Sequence, residues 1–356
     1  MSNRFDQLRR VLRDRSVEGI FINSHTNRRY ISGFTGTAGA LFVTQTDAYF
    51  ITDFRYIQQA EDQCRDCKII EQTASIYASL GKLIKETDIK SLAFEKEHVS
   101  YAAYEFLKEN VDAELKPMKG IVEAIRLIKD DKELAVLKEA AEIADSTFKH
   151  IAAFIKPGMK EIDVSNELEF FMRKQGAESS SFDIIVASGW RSALPHGVAS
   201  DKVIESRELV TLDFGAYYKG YCSDITRTIA VGEPSEELKK IYETVYEAQT
   251  KAVEEIKPEM TGVEADAIAR DYINNNGYGK YFGHGLGHGL GMEVHEGPQL
   301  SPKGKNILKP GMVVTVEPGI YVPEVGGTRI EDDIVITKQG NERLTRSPKE
   351  LIIVGE

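Results

Sequence analysis

Cysteine is scarce. Cys64, Cys67 and Cys222 are all that the 356 residues contain, too few and too odd in number for a disulfide-built scaffold, and suited to a reducing cytoplasm. The Cys64-Arg-Asp-Cys67 spacing does not make a structural zinc site, because the nearest histidines, His25 and His98, lie more than thirty residues away. Basic charge is also short: 45 Lys+Arg against 56 Asp+Glu give a net charge of −11. Without a Lys/Arg-dense stripe, that balance argues against nucleic acid as a partner. Apolar runs such as Ile20–Ile22 and Val313–Val316 are far too short to span a bilayer, so no membrane partner is expected. The opening stretch Met1–Leu12 reads as an amphipathic helix rather than a signal peptide. Neither a Gly-x-Ser-x-Gly elbow nor a phosphate-binding P-loop occurs, which removes support for serine hydrolase and nucleotide chemistry. The expectation is a soluble, cytoplasmic protein.

What is present points to two domains. With 42% hydrophobic residues there is ample core, and the length suits two folded units. Gly19–Asn23, Ala40–Thr44, Ala48–Thr52 and Ser91–Phe94 read as strands, and Arg4–Asp14, Tyr56–Gln63, Ile76–Glu86 and Tyr101–Glu109 as helices. This α/β pattern ends near Ala113–Pro117. A long helical pattern from Ile121 to Ile155 follows, broken around Lys129–Asp131. The boundary is placed at Gly120, giving domains 1–120 and 121–356.

The second domain repeats itself. Ile155-Lys-Pro-Gly-Met159 recurs as Ile256-Lys-Pro-Glu-Met260, and Val210-Thr-Leu-Asp-Phe-Gly-Ala-Tyr217 as Val314-Thr-Val-Glu-Pro-Gly-Ile-Tyr321. Two words in the same order at nearly the same offset indicate two related α+β halves, with Asp213 equivalent to Glu317. Strands Val210–Phe214 and Ser223–Ala230 flank the turn Tyr217–Gly220, and a hairpin centred between Tyr218 and Lys219 sets Asp213 opposite Asp224. A second hairpin centred on Glu324 sets Glu317 opposite Glu331.

Like charges facing each other across a sheet are destabilising. Two such pairs on equivalent strands make sense if cations cancel the charge. Carboxylate oxygens with one imidazole suit Mn2+, Co2+ or Zn2+, and bridging carboxylates suit two ions about 3.5–4 Å apart that share a hydroxide for hydrolysis. The imidazoles lie in the glycine-rich tract Phe282-Gly-His-Gly-Leu-Gly-His-Gly-Leu-Gly-Met-Glu-Val-His-Glu296, which holds His284, His288 and His295, while His196 precedes His295 by nearly the repeat offset. His25, His98 and His150 read as structural. Chemistry alone leaves open which of His284 and His288 binds metal.

At these residues the chain resembles the pita-bread metallopeptidases: methionine aminopeptidase, aminopeptidase P and prolidase. The family's ligand order Asp, Asp, His, Glu, Glu is present as Asp213, Asp224, His288, Glu317 and Glu331. The resemblance implies His288 as the ligand, seven residues before His295, with His284 lining the substrate site. It further implies His196 and His295 flanking the reacting peptide and Glu317 as proton carrier. Arg329, two residues from Glu331, looks like a partner that steadies a ligand carboxylate. The fold implied is α+β, an N-terminal α/β domain followed by a pita-bread catalytic domain built from two halves. Asn27-Arg-Arg-Tyr-Ile-Ser-Gly-Phe34 and Thr52-Asp-Phe-Arg-Tyr56 resemble the N-terminal domain of the proline-specific branch, which methionine aminopeptidases typically lack. Creatinase shares the architecture but as a rule does not keep the five ligands. Glu259 departs from the pattern, which has Gly there. The implied activity is an Xaa-Pro dipeptidase with two divalent metal ions, Mn2+ foremost, acting as a homodimer on peptides with proline in second position. The alternatives are an Xaa-Pro aminopeptidase taking longer peptides, and a non-catalytic binding protein of the same fold.

Overall fold

The computed structural model describes residues 4–355; the first three residues of the predicted N-terminal helix lie outside them. The chain divides between Arg126 and Leu127. The first unit is built on a mixed sheet, ordered β4-β3-β2-β1-β5-β6. Its strands are β1 (Gly19–Ile22), β2 (Ala40–Thr44), β3 (Ala48–Thr52), β4 (Lys68–Glu71), β5 (Ser91–Glu95) and β6 (Glu114–Met118). Around it lie α1 (Arg4–Asp14), α2 (His25–Ser32), α3 (Ile57–Gln63), α4 (Ile76–Thr87), α5 (Tyr101–Asn110) and α6 (Ile121–Arg126).

The four strands read from the sequence are the fully buried ones. The two it missed, β4 and β6, are the half-exposed edges, and β6 holds Pro117, which an edge tolerates because no partner needs its missing N–H. Helix α2, also missed, is short and set by its caps: Ser24 Oγ accepts from the Asn27 amide, and Gly33 closes it in the left-handed conformation. The boundary expected at Gly120 falls six residues later. Helix α6 folds with the first unit, where the Arg126 guanidinium donates to Asn27 Oδ1 at 2.7 Å.

The second unit carries the repeat. Its helices are α7 (Asp131–Phe154), α8 (Glu161–Lys174), α9 (Glu236–Glu255) and α10 (Gly262–Asn275). The predicted break before α7 is a capping box: Asp130 receives the Glu133 amide and Glu133 reaches back to the Asp130 amide. Strands of the first half are β7 (Ser179–Ser180), β8 (Ile185–Ser188), β9 (Glu208–Phe214), β10 (Ala216–Tyr218), β11 (Tyr221–Cys222) and β12 (Ile225–Val231). Those of the second are β13 (Gly287–Gly289), β14 (Glu296–Leu300), β15 (Val313–Val316), β16 (Gly319–Val322), β17 (Gly326–Arg329), β18 (Asp332–Ile336) and β19 (Asn341–Arg343). The C-terminal β20 (Ile353–Val354) returns to pair with β12.

Each half has its own apolar core, one including Phe148, Leu168, Leu212 and Ile229, the other Ile241, Ala269, Val314 and Ile334. Each fully buried Leu, Ile, Val or Phe among them contributes about 1.5–3 kcal/mol. The repeated turns match bond for bond. The Gly158 amide donates to Ile204 O and that of Glu259 to Leu308 O. Both residues are left-handed, at φ +91° and +72°. Among the described residues no helix is long and apolar enough to cross a membrane.

Candidate metal centre

The first-half hairpin supplies two aspartates, in a register the sequence reading did not give. Asp213 pairs with Thr226 rather than Asp224. The tight turn is Lys219-Gly220, with φ of +48° and +85°, the pair of left-handed positions that a two-residue hairpin loop requires. The turn therefore sits one residue later than expected and every partner moves by two. A shift of two keeps the faces unchanged, so Asp213 and Asp224 still open on the same cavity. In the second half the expected register holds: Val316↔Asp332 on one side and Gly319↔Arg329 on the other bracket Glu317 and Glu331, which stand across from each other where the two ladders part.

These four carboxylates, with His196, His284, His288, His295 and Arg329, line one cavity of about 950 Å³. Burial, reinforced by the neighbouring carboxylates, raises Asp224 and Glu331 well above the usual carboxylate range. Burial likewise lifts Glu317 to about 8 against the opposing pull of Arg329. One oxygen of three of the carboxylates is held by a side-chain donor. Thr226 Oγ1 donates to Glu331 Oε2 at 2.6 Å, Thr315 Oγ1 to Glu317 Oε1 at 3.2 Å, and Arg329 Nη2 to Asp213 Oδ2 at 2.5 Å. Asp213 Oδ1, Asp224 Oδ1 and Glu331 Oε1 are buried without a donor among the described residues. An orphaned buried acceptor costs about 1–3 kcal/mol, more when charged, and a divalent cation relieves all three at once. The donor set thus fits hard metal ions.

The two histidines that sequence chemistry could not separate differ in geometry. Arg329 Nη1 donates to the Tyr321 hydroxyl at 2.8 Å, so that hydroxyl's own proton is free for His284 Nε2, 2.9 Å away, while His284 Nδ1 donates to Gly285 O at 2.8 Å. Both ring nitrogens are occupied, and no lone pair is left for an ion. His288 Nδ1 lies 3.1 Å from Gly289 O and donates to it. Its Nε2 lone pair then faces Glu317 at 3.3 Å and Asp224 at 3.8 Å. Asp224, His288 and Glu331 each bring a ligand atom within 4.8 Å of the others. Burial holds both imidazoles neutral, at about 4.

The glycine-rich tract is pinned from outside. Asp266 on α10 accepts the Leu286 amide at 2.9 Å and pairs with Arg270, which donates to His284 O at 2.6 Å and Phe282 O at 3.1 Å. Gly287 and Gly289 are required by crowding, since a Cβ would stand 2.1 Å from Thr315 O and 1.8 Å from Gly297 O. His295 meets the His288 ring at 4.4 Å between centroids. Arg329 is buried and holds Asp213, a carboxylate of the other half, rather than its strand neighbour Glu331. It also donates to Thr226 Oγ1 and Pro195 O, and Pro195 carries the chain into His196. His98 and His150 have local partners, Glu123 at 3.2 Å and Glu167 at 2.6 Å.

Sequence reasoning missed Tyr321, Thr226, Thr315 and Asp333, whose Oδ2 accepts the Asp224 amide at 2.9 Å. Tyr321 and Thr315 had a signal, since both belong to the repeated word.

Comparison with known proteins gives a consistent result. Residues 135–338 match the family model described as Metallopeptidase family M24, and residues 4–128 that of the Creatinase/Prolidase N-terminal domain. The chain is 43% identical over 340 residues to an Xaa-Pro dipeptidase of Pyrococcus horikoshii, covering 95% of either chain. A solved Xaa-Pro dipeptidase from Bacillus anthracis superposes with a TM-score of 0.97 at 57% identity over 99% of both chains. An X-Pro aminopeptidase from Thermotoga maritima superposes at 0.91 with 39% identity, over 97% of this chain and all of that one.

Proposed function

The chain belongs to metallopeptidase family M24, and from that membership we propose that it is an Xaa-Pro dipeptidase, hydrolysing the peptide bond before proline with two divalent metal ions. The observation that carries the reading is the set of buried carboxylate oxygens without donors, gathered with the free Nε2 of a neutral His288 in one cavity. Asp213, Asp224, His288, Glu317 and Glu331 would hold the ions. When bound, such ions generate a nucleophile from water at neutral pH and polarise the scissile carbonyl.

The chain's own groups do the rest. Thr226 and Thr315 fix one oxygen each of Glu331 and Glu317, leaving the other oxygens to face the cavity. Arg329 neutralises part of the charge and ties Asp213 to Tyr321. Glu317 moves the proton from the attacking water toward the leaving nitrogen. His196 and His295 flank the peptide and offer N–H groups to the oxygen on which charge develops. His284, with both nitrogens engaged, shapes the substrate wall. A bond to proline has no N–H to recognise, so selection rests on the ring's shape and on the carbonyl.

The reading extends to Mn2+ as the working ion, a cytoplasmic location and a homodimer. All-oxygen donors with one imidazole support the first, three free cysteines the second, and the family resemblance the third. Hydrolysis of Ala-Pro after chelation and re-addition of Mn2+ or Co2+ tests the function. Restored hydrolysis of Ala-Pro above Ala-Pro-Ala is expected. Preference for the tripeptide would favour the aminopeptidase reading that the Thermotoga maritima likeness keeps open, and inertness toward both, with ions bound, would favour a binding protein.

A further inference from the structure

We infer that Lys280 receives the free C-terminal carboxylate of the substrate and thereby makes the site prefer dipeptides; this rests on the function proposed above. Among the described residues two Lys or Arg side chains line the cavity, Arg329 and Lys280. Arg329 is saturated, donating to Asp213, Tyr321, Thr226 and Pro195. Lys280 is in the opposite condition. It stands exposed on the short turn Gly279–Tyr281, and no described residue forms an ion pair or hydrogen bond with it. Its ammonium rests 4.6 Å from the centroid of the Tyr281 ring, another cavity residue. That cation–π contact orients the group while leaving its N–H donors free.

The charge pattern then sorts the two ends of a dipeptide. The four carboxylates of Asp213, Asp224, Glu317 and Glu331 repel a substrate carboxylate wherever ions do not cover them. Asp183, the other exposed charge along the wall, repels it too. Among the described residues, Lys280 is the one Lys or Arg lining the cavity without an anionic partner. A dipeptide with proline second ends in a carboxylate one residue beyond the scissile bond. A longer peptide has a neutral amide there and gains nothing from an ammonium. The group is exposed, so its effect is moderate and sensitive to salt.

The test compares Ala-Pro with Ala-Pro amide, which differs only at that terminus, in the metal-loaded wild-type enzyme and in Lys280→Met and Lys280→Arg. The wild type should favour the acid over the amide in kcat/KM. In Lys280→Met the preference should fall by about two- to fivefold, through KM for the acid rather than through kcat; Lys280→Arg should restore most of it, and added salt should erode it in the wild type. An unchanged acid-over-amide preference in Lys280→Met, or none in the wild type, would overturn the assignment while leaving Xaa-Pro hydrolysis intact. Failure of the wild type to cleave either substrate would instead overturn the proposed function.

Discussion

The two halves of the catalytic unit share turns, hairpins and separate cores, yet they do not contribute alike. In the first half Asp213 is paired within the β9/β12 ladder, and Asp224 lies in the gap between β11 and β12. The second gives two glutamates where its ladder is interrupted between β15/β18 and β16/β17. Both glutamates lie where the backbone has parted, whereas of the aspartates only Asp224 does. The histidine difference is sharper. Ala187 pairs with Thr211 on β9, whereas His288 sits against the equivalent Thr315, its amide bonded to Thr315 Oγ1 at 3.1 Å. One half fills that position with a methyl group and the other with an imidazole. A duplicated frame thus supplies paired carboxylates by symmetry, and a single substitution makes the site asymmetric.

That contrast can be broken experimentally, and the largest effects should come from the paired carboxylates. Asp224→Ala and Glu331→Ala, one from each half, should both abolish hydrolysis and lower bound metal. The loss should exceed the roughly 10–100-fold that supporting partners of a metal site cost. Full activity in either variant, measured by dipeptide turnover, would sink the two-metal reading. Next come the histidines. His288→Ala should lose metal, while His284→Ala should keep it and lose turnover; elemental analysis showing the opposite would reverse their roles. Arg329→Met should slow hydrolysis by about 10–100-fold with the fold retained in circular dichroism, because it frees the Asp213 oxygen and releases Tyr321.

The metal-free chain should show the charge burden directly. The raised values of Asp224 and Glu331, and about 8 for Glu317, mean that the folded state keeps protons that the unfolded state gives up near pH ~4. Stability is therefore complete below that pH and declines as the pH rises through about 8. Divalent ions should flatten the decline, as thermal melts at several pH values would register. The smallest effect concerns the turn. Glu259→Gly should stabilise by about 1 kcal/mol, since Glu adopts φ +72° where the other half has Gly158; denaturant unfolding checks it.

Much of this was legible in the sequence because repetition and periodicity are local patterns. The buried strands of the N-terminal unit, the break before α7 and the two carboxylate words all lie within a few residues of their own signals. The illegible parts depended on distant partners. β4 and β6 are strands because a sheet edge receives them. The first hairpin slipped by one turn position because Lys219 takes a left-handed conformation that its type does not advertise. Which histidine keeps a free lone pair depended on Tyr321 and Arg329, in strands far along the chain.

On the function proposed, the two halves together hold two divalent ions that the reaction needs. Calorimetric titration of the chelated protein with Mn2+, with Ala-Pro hydrolysis followed on the same samples, measures it most directly. Two ions per chain are expected, with hydrolysis rising as the sites fill and His288→Ala binding fewer. Full hydrolysis in the chelated protein, or saturation without any gain in activity, would contradict this.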